Sequence, residues 1–356
     1  MPFGLVPMVF SLVYSLLEKG ILGTHPTYPS TGNPYQFILI VPALISLFLG
    51  FLIGLLEVFV ISRLFVKSSF LKKLILKTMI YFLIIVVSIV LISLLSTAHE
   101  YRLPPFSSEV LESVETFFRS FAFWSVVVYF TLGLVICLFY AEISDNLGQY
   151  AIANFFTGKY HRPIEEYRIF MFLDMKSSTT IAERLGHEKY FDLLNDYYRY
   201  LSNPIMDFGG EIYQYVGDEI VLTWRLNTKM DKASVVYCFF SMQETLAEKS
   251  TSFLKRYGLV PSFKAAIHLG KVTTGEIGKI KKDFVFSGDV LNTTARIQGL
   301  CNEHNARLLC SEEAVTQLEL RKSFEVIDLG TASLRGKEDK IKIFDVIAKK
   351  NHNSNG

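Results

Sequence analysis

The feature that most constrains this chain is the crowding of apolar residues into its first 140 positions. A hydrocarbon core of roughly 30 Å needs about 20 helical residues to cross it. The runs Phe37–Ser62, Leu74–Ser96 and Ser120–Tyr140 meet that length. A fourth stretch, Pro2–Leu17, is shorter and carries Pro7. It reads as a tilted span, a re-entrant segment or an uncleaved signal anchor, and is counted here as a span. Backbone polar groups in lipid must be satisfied within their own segment, so these stretches are predicted to form a helical bundle in the bilayer.

Orientation follows from the loops, because Lys and Arg near span ends stay on the cytoplasmic side. Between the second and third stretches lie Arg63, Lys67, Lys72, Lys73 and Lys77 with no acid, which predicts a cytoplasmic loop. The next loop holds Glu100, Glu109, Glu112 and Glu115 against Arg102 and Arg119, and is predicted to lie outside. Everything after Tyr140 then falls in the cytoplasm, as expected of a multi-pass protein of the plasma (inner) membrane. Glu57 is an ionisable group within an apolar run, which is costly and often functional. The simpler expectation is that it snorkels towards Arg63. No repeat of the transporter kind is visible, so the bundle reads as an anchor and possible sensor.

Charge excludes little else. With 36 basic against 34 acidic residues there is no global field that would favour nucleic acid. The cysteines Cys137, Cys238, Cys301 and Cys310 are widely spaced and form neither a CxxC nor a Cys/His pattern, which argues against a disulfide framework or a zinc site. His161, His187, His268 and His304 are each isolated in sequence and read as surface or packing residues without an Asp or Ser partner.

The chain is expected to divide into a membrane region over 1–140, a linker or signalling helix over 141–166, a soluble domain over 167–350 and a disordered tail over 351–356. Helical spacing through Leu147, Ala151 and Phe155 followed by Gly158 supports the linker helix. In the soluble part, Arg168–Leu173 reads as a buried strand and Ser178–Leu201 as one long amphipathic helix. Glu211–Tyr215 and Ile220–Leu226 flank the turn Val216-Gly217-Asp218-Glu219 as a hairpin. Lys232–Ser250 is predicted helical, Ser262–Leu269 and Lys271–Ile277 are two strands, and a helix runs from Val290 to Asn302. Strands near Phe324–Leu329 and Lys340–Ile347 close an α+β fold with helices packed on a sheet.

Three segments carry chemistry. In Phe172-Leu173-Asp174-Met175-Lys176-Ser177-Ser178-Thr179-Thr180 an apolar strand ends in an acid and a hydroxyl-rich helix begins. A carboxylate there can hold a divalent cation, while the helix N–H groups face polyphosphate. Ser and Thr also cap helices generally, so the segment alone decides nothing. The second acid, Asp218, sits at the hairpin tip after Gly217. Two carboxylates at adjacent strand ends can clamp two Mg2+ or Mn2+ ions. The third segment, Ser287-Gly288-Asp289-Val290-Leu291-Asn292-Thr293-Thr294-Ala295-Arg296, puts Asn292 and Arg296 on one helix face. An amide that orients a ribose and a guanidinium that meets a charged phosphorus suit displacement at an α-phosphate.

The segments FLDMKSSTTIAERLG, GGEIYQYVGDEIVLTW, AAIHLGKVTTGEIG and FSGDVLNTTARIQGL, in this order, resemble the class III adenylate/guanylate cyclase catalytic domain from about Tyr167 to Lys350. The resemblance implies a ferredoxin-like α+β fold and a head-to-tail homodimer with two composite sites. It implies that Asp174 and Asp218 are metal ligands for two Mg2+ or Mn2+ ions, with the Met175 carbonyl assisting. By the same resemblance Asn292 orients the ribose, Arg296 stabilises the transition state, and Arg335 or Lys337 holds the terminal phosphates. Ser177, Ser178 and Thr179 belong to the nucleotide-binding helix start. The implied reaction turns ATP into 3′,5′-cyclic AMP and pyrophosphate through attack of the ribose 3′-hydroxyl on the α-phosphorus. The base-selecting positions depart from the family pattern: Gln214 stands where adenylate cyclases usually carry Lys and guanylate cyclases Glu, and Val285 where Asp or Thr reads adenine. An amide satisfies either purine edge, so GTP stays open as the alternative substrate. A diguanylate cyclase, suggested by Val216-Gly217-Asp218-Glu219, and a silent cyclase-like membrane receptor are the competing readings.

Overall fold

A computed structural model describes residues 2–22, 40–61, 64–65, 69–147, 158–226, 231–280, 283–333 and 340–349. The chain divides into two compact units, Met1–Thr157 and Gly158–Gly356. Arg63, Lys67, the linker from 148 to 157 and the tail over 351–356 lie outside the described residues.

The first unit contains α1 (Pro2–Leu22), α2 (Ile40–Leu56) continuing as a π-helical turn over Glu57–Ile61, α3 (Phe70–Tyr101), α4 (Ser108–Arg119) and α5 (Phe121–Leu147). Four stretches are long and apolar enough to cross a membrane: Phe3–Ile21, Pro42–Ile61, Phe70–Tyr101 and Phe121–Ser144. Only 11% of the α3 window is buried inside the protein, so most of its Leu, Ile and Val surface is left for an apolar solvent to cover. The segment expected to be an outside loop contains α4, an amphipathic helix. Its Val110 and Val114 pack on Ala98 of α3, while Glu109, Glu112 and Glu115 occupy the other side.

Two expectations for this unit are corrected. Lys72, Lys73 and Lys77 are not in a loop, because α3 opens at Phe70 and absorbs all three. Glu57 does not snorkel. It is 6% exposed, its Oε1 accepts from the Lys77 ammonium at 2.5 Å, and its Oε2 accepts from the Tyr81 hydroxyl at 2.5 Å. Lys77 also donates to Glu142 of α5 at 2.7 Å. A charge in an apolar bundle is tolerable only with partners, and these come from other helices.

The second unit is an eight-stranded sheet in the order β2-β3-β1-β4-β6-β8-β7, with β5 pairing β4. Its elements are β1 (Ile164–Met175), α6 (Ser178–Leu185), α7 (His187–Asp207), β2 (Glu211–Val216), β3 (Glu219–Arg225), α8 (Ser234–Glu248), α9 (Ser250–Tyr257) and β4 (Phe263–Ile277). There follow β5 (Asp283–Ser287), α10 (Asp289–Gly299), β6 (Leu308–Ser311), α11 (Glu312–Gln317), β7 (Phe324–Ser333) and β8 (Lys340–Ala348). β1 is central and buried on both faces. Ile169, Met171 and Leu173 meet Leu193, Tyr197, Val236 and Phe239 from the helices on one side. Phe170 and Phe172 meet Val221, Val272 and Val290 on the other, where α10 lies. Each such large apolar side chain contributes about 1.5–3 kcal/mol when fully buried.

The expected long helix over Ser178–Leu201 is two helices, broken at Gly186 with φ of 74°. The helix expected over Lys232–Ser250 is likewise followed by a separate α9, which buries Phe253 and Tyr257. The two strands expected on either side of Gly270 are one continuous β4. Gly270 is there because α10 needs the space: a Cβ at that position would meet Val290 Cγ2 at 2.7 Å. The strands β5 and β6 were not anticipated, being only 5 and 4 residues long. Two histidines have partners after all: His268 Nδ1 lies 2.8 Å from the Ser311 hydroxyl and His161 Nδ1 3.3 Å from Glu276.

Candidate active site

Asp174 is positioned by β1. The four residues before it are 7% exposed or less, which fixes the strand, and Asp174 is the first half-open position after that buried run. Register places it between Glu219 on β3 and Lys264 on β4. The chain then turns sharply: Lys176 N–H donates to Ser262 O at 2.8 Å, and Ser177 takes a left-handed conformation with φ of 57° before α6 begins at Ser178. A non-glycine residue held there is strained, a feature that gathers at functional sites.

Asp218 arrives on the β2–β3 turn. Gly217, with φ of 63°, allows the reversal, and its carbonyl accepts from the Tyr198 hydroxyl at 2.5 Å. Burial pushes the Asp218 carboxyl above its ordinary range; a Ser178 hydroxyl bond opposes this, and the adjacent Asp174 carboxylate adds to it. Glu219 is pushed up by burial and by both aspartates. The structure therefore brings Asp174, Asp218 and Ser178 to one place, with Met175 buried behind them and Ser177 in the connecting turn. Asp218 Oδ2 is buried without a hydrogen-bond partner. Two hard carboxylates side by side, one with an orphaned oxygen, suit Mg2+ or Mn2+. Among the described residues no group of three or more His, Cys, Asp or Glu gathers to hold a metal.

Sequence reasoning missed Lys264. Its ammonium lies 3.3 Å from Asp174 Oδ2 and donates to Asn302 Oδ1 at 3.2 Å, with the residue only 8% exposed. The available signal was a lysine in a strand stretch otherwise written in buried apolar residues, Phe263 to Ile267.

α10 presents the remaining groups. Gly288 lets it approach the sheet, since a Cβ there would meet Lys271 O at 3.1 Å. Val290, Thr293, Thr294 and Ile297 are buried against the sheet, which leaves Asn292 exposed and Arg296 half-buried on the free side. Neither hydrogen-bonds or ion-pairs with Asp174 or Asp218, and neither has such a partner among the described residues. Thr179, in the first turn of α6, is exposed. Gln214 is exposed on β2 just after a bulge at Tyr213, and Val285 is half-buried on β5 opposite Gly275. Arg335 and Lys337 lie outside the described residues.

Residues 160–348 match the family described as the adenylate and guanylate cyclase catalytic domain. The chain is 32% identical over 211 residues to adenylate cyclase 2 of Rhizobium meliloti, covering 59% of this chain and 58% of that protein. It is 27% identical over 182 residues to adenylate cyclase 1 of the same organism, covering 50% of this chain and 27% of the relative. The match therefore spans less than two thirds of either relative's length. Among solved structures, a bacterial light-regulated adenylyl cyclase superposes with a TM-score of 0.51 at 18% identity, covering 62% of this chain and 65% of that one, a likeness of fold.

Proposed function

This chain belongs to the adenylate and guanylate cyclase catalytic-domain family, and from that membership we propose that it is a membrane-bound adenylate cyclase, converting ATP to 3′,5′-cyclic AMP and pyrophosphate as a second messenger. The observation that carries the reading is the orphaned Asp218 Oδ2 beside Asp174 at one end of the sheet, where burial raises the proton affinity of the Asp218 carboxylate. When bound, two Mg2+ or Mn2+ ions supply the charge that makes the ribose 3′-hydroxyl a better nucleophile and neutralises the leaving pyrophosphate.

The chain's own groups do the rest by position and charge. Asp174, braced by Lys264, and Asp218, braced by Ser178, would hold the ions together with the Met175 carbonyl, and the N–H groups at Ser177, Ser178 and Thr179 face the phosphates of the nucleotide. Lys264 adds a cation beside this anionic cluster. Asn292 and Arg296 project from the free side of α10, and a second copy of the chain receives them over its metal-binding half, so that a head-to-tail homodimer forms two composite sites. There Asn292 orients the ribose and Arg296 stabilises charge that grows only in the transition state. Arg335 or Lys337 holds the terminal phosphates. Gln214 and Val285 face the base. The adenylate cyclase names of the relatives favour ATP, while the Gln214 amide accommodates guanine as well.

Lys72 and Lys73 at the start of α3 support an orientation with that end of the bundle, and the chain that follows α5, on the cytoplasmic side of the inner membrane. The test is the full chain purified in detergent with Mn2+ and either ATP or GTP, the products resolved chromatographically. Cyclic AMP as the major product is expected. Cyclic GMP as the major product transfers the reading to a guanylate cyclase. No cyclic product from either nucleotide turns it into a silent receptor.

A further inference from the structure

A second polar cluster lies on the α10 side of the sheet, away from the aspartates. Its centre is Arg168, six residues before Asp174 on β1, which at the ordinary strand rise puts it about 20 Å from the metal-binding end. Arg168 is 1% exposed. Its Nε donates to Glu166 at 3.0 Å, its Nη1 to Glu211 at 2.7 Å and its Nη2 to the Tyr160 hydroxyl at 3.4 Å. Glu166 also accepts from the Thr274 hydroxyl at 2.7 Å, and Tyr160 accepts from Arg225 at 2.7 Å. The guanidinium of Arg168 lies 4.7 Å from the ring centre of Phe286, which in turn packs on Tyr213 at 4.9 Å and Phe170 at 5.5 Å.

This cluster is poorly accounted for as a stabilising device. Two arginines and two glutamates cancel in charge, yet Arg225 Nε is buried without a hydrogen-bond partner, and it reaches each glutamate only at 3.9 Å. Burying a guanidinium among half-buried charges with imperfect satisfaction is often no better than an apolar replacement. What the cluster does achieve is to join β1, β2, β3, β4 and β5 at one point. Glu211 is on the strand that carries Gln214, and Phe286 follows Val285 directly. Tyr213 and Phe286 are the two rings that pack between those strands. The bulge at Tyr213 leaves β2 without regular pairing at that residue, so its placement depends on packing rather than on the ladder.

We propose that Arg168 is a positioning residue for base recognition: by binding Glu211 and stacking under Phe286 it holds the β2 and β5 positions Gln214 and Val285 at a fixed separation, and so sets affinity and selectivity for the purine without touching it. The proposal rests on the cyclase reading above. A misplacement of about 1 Å costs up to about a hundredfold when geometry is exacting, and binding of a base edge should lose about tenfold of that.

The experiment compares the full chain in detergent with Arg168→Met, Arg168→Lys and Phe286→Leu, measuring kcat and KM for ATP and for GTP with Mn2+. Arg168→Met and Phe286→Leu are expected to raise KM for the preferred nucleotide about tenfold, to compress the ratio of kcat/KM between the two nucleotides, and to change kcat much less. Arg168→Lys, which keeps the charge and loses the fork, is expected to fall between them and the parent. Unchanged KM and selectivity in folded Arg168→Met overturns the proposal, as does an equal loss of kcat for both nucleotides at constant KM. If Arg168→Met does not fold, Phe286→Leu and Tyr160→Phe decide by the same criteria. An inactive parent protein overturns the cyclase reading instead, before any variant is compared.

Discussion

Removing the Lys77 ammonium should expose how the first unit is held together. In Lys77→Met two glutamates in an apolar bundle lose the cation they share. Their oxygens are bonded to one nitrogen at 2.5 and 2.7 Å, so they can be no more than 5.2 Å apart. At an effective dielectric constant of about 20, two unit charges at that separation repel by about 3 kcal/mol. Measured losses on removing one member of a buried pair are of the same size, about 3–5 kcal/mol. Lys73, 3.9 Å from Glu142, offsets part of this, and the Tyr81 hydroxyl still serves Glu57. A net loss of about 3 kcal/mol corresponds to roughly 10 °C in the melting of a unit this size. Thermal loss of the monodisperse peak in detergent size-exclusion chromatography measures it. The triple variant Glu57→Gln, Lys77→Met, Glu142→Gln carries no charge at the site and should recover most of the loss, because the cost lies in the unpaired carboxylates and not in the absent lysine. A Lys77→Met protein as stable as the parent, or a triple variant no better than Lys77→Met, would refute the reasoning.

Asp218→Asn should raise the melting temperature of the metal-free protein while abolishing the stabilisation that Mn2+ gives the parent. The sign follows from the raised carboxyl: the folded state binds that proton more tightly than the unfolded one, so its cost is present at neutral pH and disappears as the pH falls below the unfolded carboxylate range. Calorimetry in chelator at pH 7 and pH 4 checks it, and an equal gain at both pH values would sink it. Arg296→Ala should lower kcat with KM little changed, and mixing it with Asp174→Ala should restore about a quarter of the parent turnover if chains exchange at random and one intact composite site suffices. Mixed dimers proven by affinity tags yet inactive would remove the composite site.

Much of the candidate site's local geometry was legible because its signals are local. Asp174 ends an apolar run, Gly217 and Asp218 share one turn, and Asn292 and Arg296 are one helical turn apart, so each pattern reports its own geometry. The spans were legible for the same reason, as length and apolarity are properties of a single segment. Illegible elements depend on context. Gly270 reads as a strand breaker and is instead the hollow that seats Val290. Gly186 interrupts an amphipathic pattern that continues on both sides, and only its positive φ divides the helix. β6 is four residues long, all buried, and becomes a strand only because β4 and β8 lie beside it.

The charges whose partners sequence reading did not find share one property. Lys77, Lys264 and Arg168 are each buried in the folded chain. Each has a partner distant in sequence: Lys77 reaches 20 and 65 residues, Lys264 reaches 38 to Asn302, and Arg168, besides its neighbour Glu166, reaches 43 to Glu211. A lone charge in an apolar run can be located from sequence, and the cost of leaving it unpaired guarantees that something answers it. What answers it cannot be located that way, because the partner is chosen by the fold. In each case the answer comes from a different helix or strand, so these residues do more than avoid a penalty. They discriminate among arrangements that apolar packing alone would leave nearly equal in energy, since only the native one pairs them. On that view Lys77 selects which helices meet in the first unit, Lys264 ties Asp174 to the segment after α10, and Arg168 fixes β2 and β5 to the centre of the sheet.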